Sequence, residues 1–313
     1  MFSQRHLFAV IVTSQLQILL SHPIQENVLN NLILDYGAKM FGSPNEKVGD
    51  IINDYSPKTN LANPEELSGY LEGDILINRK SKNGLVDFGS KWDAGIIPYV
   101  ITGPFSEGDL NMIYEAMRQY HENTCIRFRR RQPEDVDYIN IINTRTGCWS
   151  SVGKIGGMQE VNLQSPGCLG TLGTPVHELM HAVGFNHEQT RYERDNFVDI
   201  KWENIQNGHD FNFAKVPKEI AVGYGIPYDY NSVMHYSAYA FSANQKPTIV
   251  PKRSNVRIGQ RDGFSVGDIR KIRNMYNCTT MMDQGKPNTN NSNNKNPIMN
   301  LLGQFQNLLT SFG

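Results

Sequence analysis

The 313-residue sequence has no excess of charge of either sign, few cysteines and almost no long apolar run. Lys and Arg number 30 against 31 Asp and Glu, so the formal net charge is −1. This balance gives no indication of nucleic acid or an anionic membrane surface as a partner. Beyond the first 21 residues, no stretch is long and apolar enough to span a bilayer. With 39% hydrophobic residues, the chain can still form one or two domains with a real core.

The four cysteines are an even number, which fits two disulfides in a secreted protein, although sequence alone leaves three pairings open. The first 21 residues support secretion. Arg5 and His6 precede an apolar run, Leu7–Val12, and a second one follows at Ile18–Leu20. This pattern is typical of a signal peptide cleaved near Ser21–His22, because an uncleaved anchor needs a longer apolar run. We therefore expect an extracellular protein.

Three of the eight histidines lie in one window with the pattern H-E-x-x-H-x-x-G-x-x-H. His177 and His181 are four residues apart, so on a helix they share one face and can reach one metal ion. On a continuous helix His187 would lie about 15 Å along the axis from His177. The helix must therefore end before it, and Gly184 is suited to end it. The chain can then return His187 as a third ligand.

Three neutral ligands leave one position on a zinc ion open, which is typical of a catalytic site. Water bound there has its pKa lowered and becomes a nucleophile, and Glu178, next to the first ligand, is the natural general base. Thr174 is a suitable N-cap for this helix and Pro175 a suitable first residue. The alternative, a helix that carries histidines by coincidence, does not explain the glycine and the third histidine.

Hydrophobic periodicity and turn residues predict an α+β chain. Ser106 and Asp109 have capping-box spacing at the start of one helix. Beyond Asp195 the sequence is rich in turn residues and aromatics, which predicts a largely irregular half. The predicted strands are 96–101, 126–129, 138–142, 148–152 and 158–163, and the predicted helices beside the histidine helix are 106–123 and 265–276.

The histidine motif, with Glu188 directly after His187, resembles that of the astacin family of metzincin zinc endopeptidases. The Met-turn of that family is matched by residues 232–236, SVMHY. The resemblance extends over residues 71–278. It implies a two-lobed, zincin-like catalytic domain over 83–278, with one zinc ion. The upper lobe would hold a twisted, mostly parallel sheet and the active-site helix, and the irregular lower lobe would end in a C-terminal helix.

The same resemblance assigns roles to individual residues. Met234 would form an apolar floor under the histidines. Tyr236 would be a further zinc ligand in the resting mature form and would then move to donate a hydrogen bond to the oxyanion, two tasks that suit a phenol. The implied disulfides are Cys125–Cys278 and Cys148–Cys168.

Residues 22–82 are predicted to be a pro-segment. Within it, Leu71–Ile75 (LEGDI) resembles a family motif whose aspartate, here Asp74, ligates zinc in the latent form and displaces the water. An ordinary Gly-Asp turn is the alternative for so short a motif. Leu71 stands where the family usually has an aromatic residue.

A basic run, Arg79–Lys82, precedes Asn83 and predicts processing at Lys82–Asn83 by a protease specific for basic residues. A solvated linker is the alternative. The resemblance places the mature N-terminus at Asn83 and its ammonium against Glu188. A buried carboxylate without a partner is costly, so Glu188 is expected to have a structural role.

Three residues are candidates for substrate binding. Trp149 lies in a segment, 148–150, that is predicted to be an edge strand pairing with the substrate backbone. Arg257 and Arg261 lie in a stretch that in family members can line the pocket after the scissile bond, where either would favour an acidic side chain. Each is as readily interpreted as a surface arginine. Glu193 stands where the family usually has Asp.

The last 35 residues, 279–313, are asparagine-rich at first and then carry apolar residues at helical spacing. A short amphipathic helix and an unstructured tail both fit, and we favour the second. Asn290 and Asn277 match the N-glycosylation pattern.

Together these features predict a secreted zinc endopeptidase, made as a latent precursor, that hydrolyses peptide bonds of extracellular proteins. Its partners would be protein or peptide substrates and an activating protease. The alternatives are another metzincin type and an inactive, zinc-stabilised binding protein.

Overall fold

The computed structural model describes residues 44–76, 91–216, 218 and 223–278. The predicted signal peptide, the Lys82–Asn83 processing site and the tail 279–313 with Asn290 lie outside these residues. The described helices are α1 (Glu46–Asn53), α2 (Glu107–Asn123), α3 (Gly173–Val183) and α4 (Val266–Tyr276). The described strands are β1 (Ile96–Ile101), β2 (Arg127–Arg130), β3 (Tyr138–Ile142), β4 (Cys148–Trp149), β5 (Met158–Leu163), β6 (Val198–Ile200) and β7 (Ile249–Pro251).

Five strands form one sheet in the order β2-β1-β3-β5-β4. All neighbours pair in parallel except β4, which is antiparallel to β5. The helices α2 and α3 contact each other and this sheet. The predicted α+β class with a mostly parallel sheet is therefore confirmed. Among the described residues, no helix has the length and apolarity needed to cross a membrane.

The helix α2 begins where its capping box predicts. The Ser106 side chain accepts a hydrogen bond from Asp109 N, and the Asp109 carboxylate accepts one from Ser106 N. The C-terminal helix α4 has the same arrangement between Ser265 and Asp268. Since a capping box lies within four residues, sequence alone locates such helix starts well.

The start predicted for the active-site helix is wrong by two residues. The helix α3 begins at Gly173 with Leu172 as N-cap, and no side chain caps it. The Gly173 N–H instead donates to the Arg261 carbonyl at 2.8 Å. A Cβ at position 173 would lie 2.2 Å from the Arg261 backbone, so only glycine allows this approach. A distant carbonyl thus replaces the cap predicted from Thr174.

The prediction of a strand over 148–152 is also wrong in length, because β4 ends at Trp149. The next residue, Ser150, pairs with Ile75 of the N-terminal arm, which we define as residues 44–76, and not with the sheet. The strand β2 begins one residue later than predicted, at Arg127, and Ile126 ahead of it is fully buried.

Between α3 and α4 the described residues are mostly irregular, as predicted, with short 3-10 turns and the two-stranded pair β6-β7. Two disulfides are present, Cys125–Cys278 and Cys148–Cys168, the two pairs that the family resemblance implies. The first joins the end of α4 to the residues before β2. Each bridge contributes on the order of 2–5 kcal/mol to stability.

Most of the buried apolar residues that the structure describes belong to two clusters. The larger contains the sheet, α2, α3 and Met234, and the smaller contains β6, β7 and Tyr236. The Met-turn thus passes from one cluster to the other within three residues.

Candidate metal centre

The three histidines of the motif come together as predicted by their spacing. His177 and His181 lie on α3, and all three imidazoles are buried. Gly184 ends the helix with φ 127°, and its N–H donates to the carbonyls of Met180 and His181. Side chains rarely adopt this backbone conformation, so the backbone geometry favours glycine, and a Cβ there would also displace Met275 Cε, which lies 2.7 Å away.

Asp74 of the N-terminal arm completes a group of four with these histidines, whose ligand atoms all lie within 4.8 Å of one another. Asp74 Oδ2 is 2.9 Å from His177 Nε2 and 3.3 Å from His187 Nε2, and Asp74 Oδ1 is 3.4 Å from His181 Nε2. At Zn–N and Zn–O distances of about 2.0–2.1 Å, tetrahedral ligand atoms lie about 3.3 Å apart. The spacing therefore fits one four-coordinate zinc ion.

Unpartnered polar atoms also point to a metal. His181 Nε2 and Asp74 Oδ1 are buried and have no hydrogen-bond partner among the described residues. Such atoms are costly unless an ion satisfies them. Together with the three imidazoles, they indicate that the site is built for zinc.

Each imidazole is oriented by an acceptor at its other nitrogen. His177 Nδ1 contacts the Val233 carbonyl and His181 Nδ1 the Phe185 carbonyl, both at 2.7 Å. His187 Nδ1 is 2.8 Å from Glu72 Oε2. These contacts place the proton on Nδ1 and leave the Nε2 lone pair for the metal.

The charges around the site differ from histidine to histidine. Burial lowers the pKa of His177 to about 4, so it is neutral, as a ligand must be. Burial acts in the same direction on His187, but Asp74 and Glu72 outweigh it and raise the pKa of His187 to about 10. The two carboxylates thus favour a cation at this point. Burial opposes ionisation of Asp74, yet the histidines hold its pKa well below its usual range.

Glu178 lies beside His177 on α3 and is fully buried. Neither carboxylate oxygen has a hydrogen-bond partner among the described residues. Burial, and then the negative charge of Asp74, raise the pKa of Glu178 well above its usual value. A raised pKa suits a group that must accept and later release a proton.

The N-terminal arm crosses the site by pairing with the end of β4. Ser150 N donates to the Asp74 carbonyl at 2.9 Å, and Leu76 N donates to the Ser150 carbonyl at 3.0 Å. Leu71 is only partly buried, whereas Tyr70 is buried and its hydroxyl donates to the Thr146 carbonyl at 2.7 Å. An aromatic residue therefore anchors the arm one position earlier than expected.

Arg261 binds acidic side chains of the arm. Its Nε donates to Glu65, and its Nη2 lies 3.9 Å from Glu66 Oε1. All three side chains are at most 4% exposed. Glu66 also accepts hydrogen bonds from Ser237 N and Oγ, both at 2.6 Å. Sequence reasoning did not identify either glutamate.

Tyr236 is fully buried, and its hydroxyl donates to the Glu72 carbonyl at 2.6 Å. The Met-turn that carries it is fixed by Asp268 of α4, which accepts from Ser232 Oγ at 2.5 Å and from Val233 N at 2.8 Å. Burial raises the pKa of Asp268. The C-terminal helix therefore supports the metal site from a distance.

Glu188 is buried, as expected, but it already has partners. Lys271 Nζ lies at 2.5 Å, Arg191 Nη1 at 3.0 Å, and Asp229 N donates at 2.7 Å. Burial opposes ionisation, yet these cations keep the pKa of Glu188 below its usual value. Arg191 also pairs with Glu193 at 2.5 Å. The expectation of a carboxylate in need of a partner overlooked Lys271 and Arg191.

The remaining candidates do not belong to the group of four that could hold the metal. Arg257 is exposed. The Trp149 indole is buried in the larger cluster and donates to Thr146 Oγ1 at 3.0 Å, so the backbone of its neighbour Ser150 makes the contact with the arm. Asn277 is the C-cap of α4, beside the buried Cys278.

Three imidazoles around one point, with an unpartnered carboxylate beside them among the described residues, are what hydrolysis by a metal-bound water requires. On this fold they define a zinc-dependent peptidase of the zincin class. The model of the astacin peptidase family matches residues 85–277. The chain therefore belongs to the astacin family of zinc metalloendopeptidases.

Individual relatives agree. Zinc metalloproteinase nas-4 of Caenorhabditis elegans is 42% identical over 246 residues, which are 75% of this chain and 77% of that protein. For zinc metalloproteinase nas-13 of the same organism the identity is 40%, and the match covers 83% of this chain but only 59% of the relative. The solved structure of high choriolytic enzyme 1, a hatching enzyme zinc-protease of Oryzias latipes, is 44% identical. It matches with a TM-score of 0.56 over 61% of this chain and 94% of that chain.

Proposed function

We propose that the chain is secreted as a latent precursor and, after processing at Lys82–Asn83, hydrolyses peptide bonds of extracellular proteins. The position of Asp74 is the observation on which latency rests. Its carboxylate lies 2.9–3.4 Å from the metal-facing nitrogens of all three histidines. It also lies N-terminal to the region that matches the family model. Residues 22–82 would then be the pro-segment and 83–278 the catalytic domain.

His177, His181 and His187 would hold the zinc in both forms. When bound, zinc supplies a Lewis acid that lowers the pKa of water and polarises a carbonyl. Glu178 would take the proton from the attacking water and pass it to the leaving amine nitrogen. Its burial and lack of other partners among the described residues leave both oxygens available for this transfer.

Tyr236 would donate a hydrogen bond to the oxygen of the scissile carbonyl as negative charge develops there. In the structure its hydroxyl already donates to a peptide carbonyl, that of Glu72. Removal of the arm would free this hydroxyl for the substrate. The backbone of Ser150 would then pair with the substrate, as it does with Asp74 and Leu76.

Tyr236→Phe should lower the kcat of the processed enzyme by about 10²- to 10³-fold, the usual effect of losing one oxyanion donor. The zinc content should stay near one ion per chain, because three histidines remain. Hydrolysis of a fluorogenic peptide and metal analysis measure the two quantities. Turnover equal to that of the unsubstituted enzyme would refute the role of Tyr236.

Arg261 should select an acidic residue directly after the scissile bond, since it binds Glu65 of the arm in the precursor. Arg261→Gln should reduce the kcat/KM ratio between peptides with Asp and with Asn at that position by about 30-fold or more, because removing one partner of a buried charge pair costs about 2–5 kcal/mol. The exposed Arg257 provides the matched control, Arg257→Gln. If Arg261→Gln keeps the selectivity of the unsubstituted enzyme, the assignment is wrong.

The proposed function as a whole is tested with the chain processed at Asn83. It should degrade casein or gelatin, and a zinc chelator should abolish this activity, which added zinc restores. A folded, zinc-containing processed chain that cleaves neither protein nor a peptide library would favour the inactive binding protein instead.

A further inference from the structure

We propose that Glu72 of the arm is a positioning residue for the metal site, which orients His187 in the precursor and is lost on processing. The precursor would consequently hold zinc more tightly than the mature enzyme does. This inference rests on the proposed function, in which the arm is removed.

His187 differs from the other two histidines in the part of the chain that supplies the hydrogen-bond acceptor of its Nδ1. His177 and His181 use the carbonyls of Val233 and Phe185, which belong to the family-matched region and remain after processing. The acceptor of His187 Nδ1 is the Glu72 carboxylate, 115 residues earlier in the chain. Processing therefore removes the partner of one ligand only.

The backbone of Glu72 is fixed at the site by two hydrogen bonds. Its N–H donates to Asn212 Oδ1 at 2.9 Å, and its carbonyl accepts from the Tyr236 hydroxyl at 2.6 Å. The side chain is 9% exposed. Glu72 has φ 47°, the left-handed region that is costly for a residue with a side chain. These contacts stabilise that backbone, which brings both the Glu72 and Asp74 carboxylates to the histidines.

A carboxylate at Nδ1 does more for a ligand than a carbonyl does. It fixes the tautomer and the ring orientation and increases the basicity of the metal-facing nitrogen. Loss of such a partner usually lowers metal affinity by about 10- to 100-fold. Processing removes Glu72 together with Asp74, so the mature site loses one direct ligand and one charged support at the same time.

The test measures zinc transfer from the full-length, uncleaved precursor to an excess of a chromophoric chelator. Glu72→Ala should increase the rate of release by about 10- to 100-fold. Glu72→Gln should give an intermediate rate, because its amide oxygen still accepts a hydrogen bond but carries no charge. Glu46→Gln is the matched control, since Glu46 is an exposed glutamate on α1 of the same arm, and it should leave the rate unchanged.

The processed forms show whether each substituted precursor has folded correctly. Enzymes released from the wild-type, Glu72→Ala and Glu46→Gln precursors are the same polypeptide, so they should release zinc at one common rate, faster than the wild-type precursor. Equal release from the wild-type and Glu72→Ala precursors would overturn the inference, even if Asp74→Ala speeds release. The proposed latency is tested independently. It would be wrong if the uncleaved Asp74→Ala precursor showed no gain in peptidase activity.

Discussion

Glu178→Gln should lower the kcat of the processed enzyme by about 10²- to 10⁴-fold, the usual contribution of a general base. Glutamine keeps the size of the side chain but cannot take the proton from the attacking water. Both oxygens of Glu178 are buried and unpartnered among the described residues, so no other hydrogen bond depends on them. The fold and the zinc content should therefore be preserved, and KM should change little.

Steady-state hydrolysis of a fluorogenic peptide, together with metal analysis and thermal melting, measures this effect. Glu134→Gln, a substitution at an exposed glutamate, is the control and should behave like the unsubstituted enzyme. Retention of more than a tenth of the normal kcat in a zinc-loaded, folded Glu178→Gln enzyme would contradict the assignment of this residue as the base.

Asp74→Ala should make the uncleaved precursor active. The substitution removes the carboxylate that contacts the Nε2 atoms of His177 and His187 at 2.9 and 3.3 Å. A hydrogen bond to a charged group is worth about 1.5–3 kcal/mol, which corresponds to a rise in kcat/KM of about 10- to 100-fold. The Glu65 and Glu66 contacts with Arg261 remain, so the activity should stay below that of the processed enzyme.

The measurement compares uncleaved precursors on a short fluorogenic peptide, with gel analysis to show that the chain stays intact. Asp50→Ala is the control, because Asp50 is exposed on α1 and its ion pair is with the exposed Arg145. An Asp74→Ala precursor that is folded, zinc-loaded and still silent would show that the arm blocks the site by filling it and not through this carboxylate.

The sequence by itself determined the parts of the site that lie within one or two turns of each other. The spacing of His177 and His181, the stop at Gly184 and the return of His187 follow from helix geometry and from the conformational freedom of glycine. The start of α2 follows from the capping box of Ser106 and Asp109. The LEGDI motif identified Asp74 through its resemblance to the family.

The predicted helix start and strand end were wrong where a residue far along the chain supplied the hydrogen-bond partner. The Arg261 carbonyl took the place of the Thr174 cap, and Ile75 of the arm ended the strand predicted to continue past Trp149. Both partners are far along the chain from the groups that they contact, beyond the reach of any periodicity in the sequence.

Only the tertiary structure decided which charges meet in the interior. Glu72 reaches His187 across 115 residues, Arg261 reaches Glu65 across 196, and Lys271 reaches Glu188 across 83. The sequence near a carboxylate or an ammonium does not indicate which charged group it will contact. That partner depends on how the arm, the Met-turn and α4 pack around α3. The local spacing therefore determines that zinc is bound, whereas the packing of distant segments decides what surrounds its ligands.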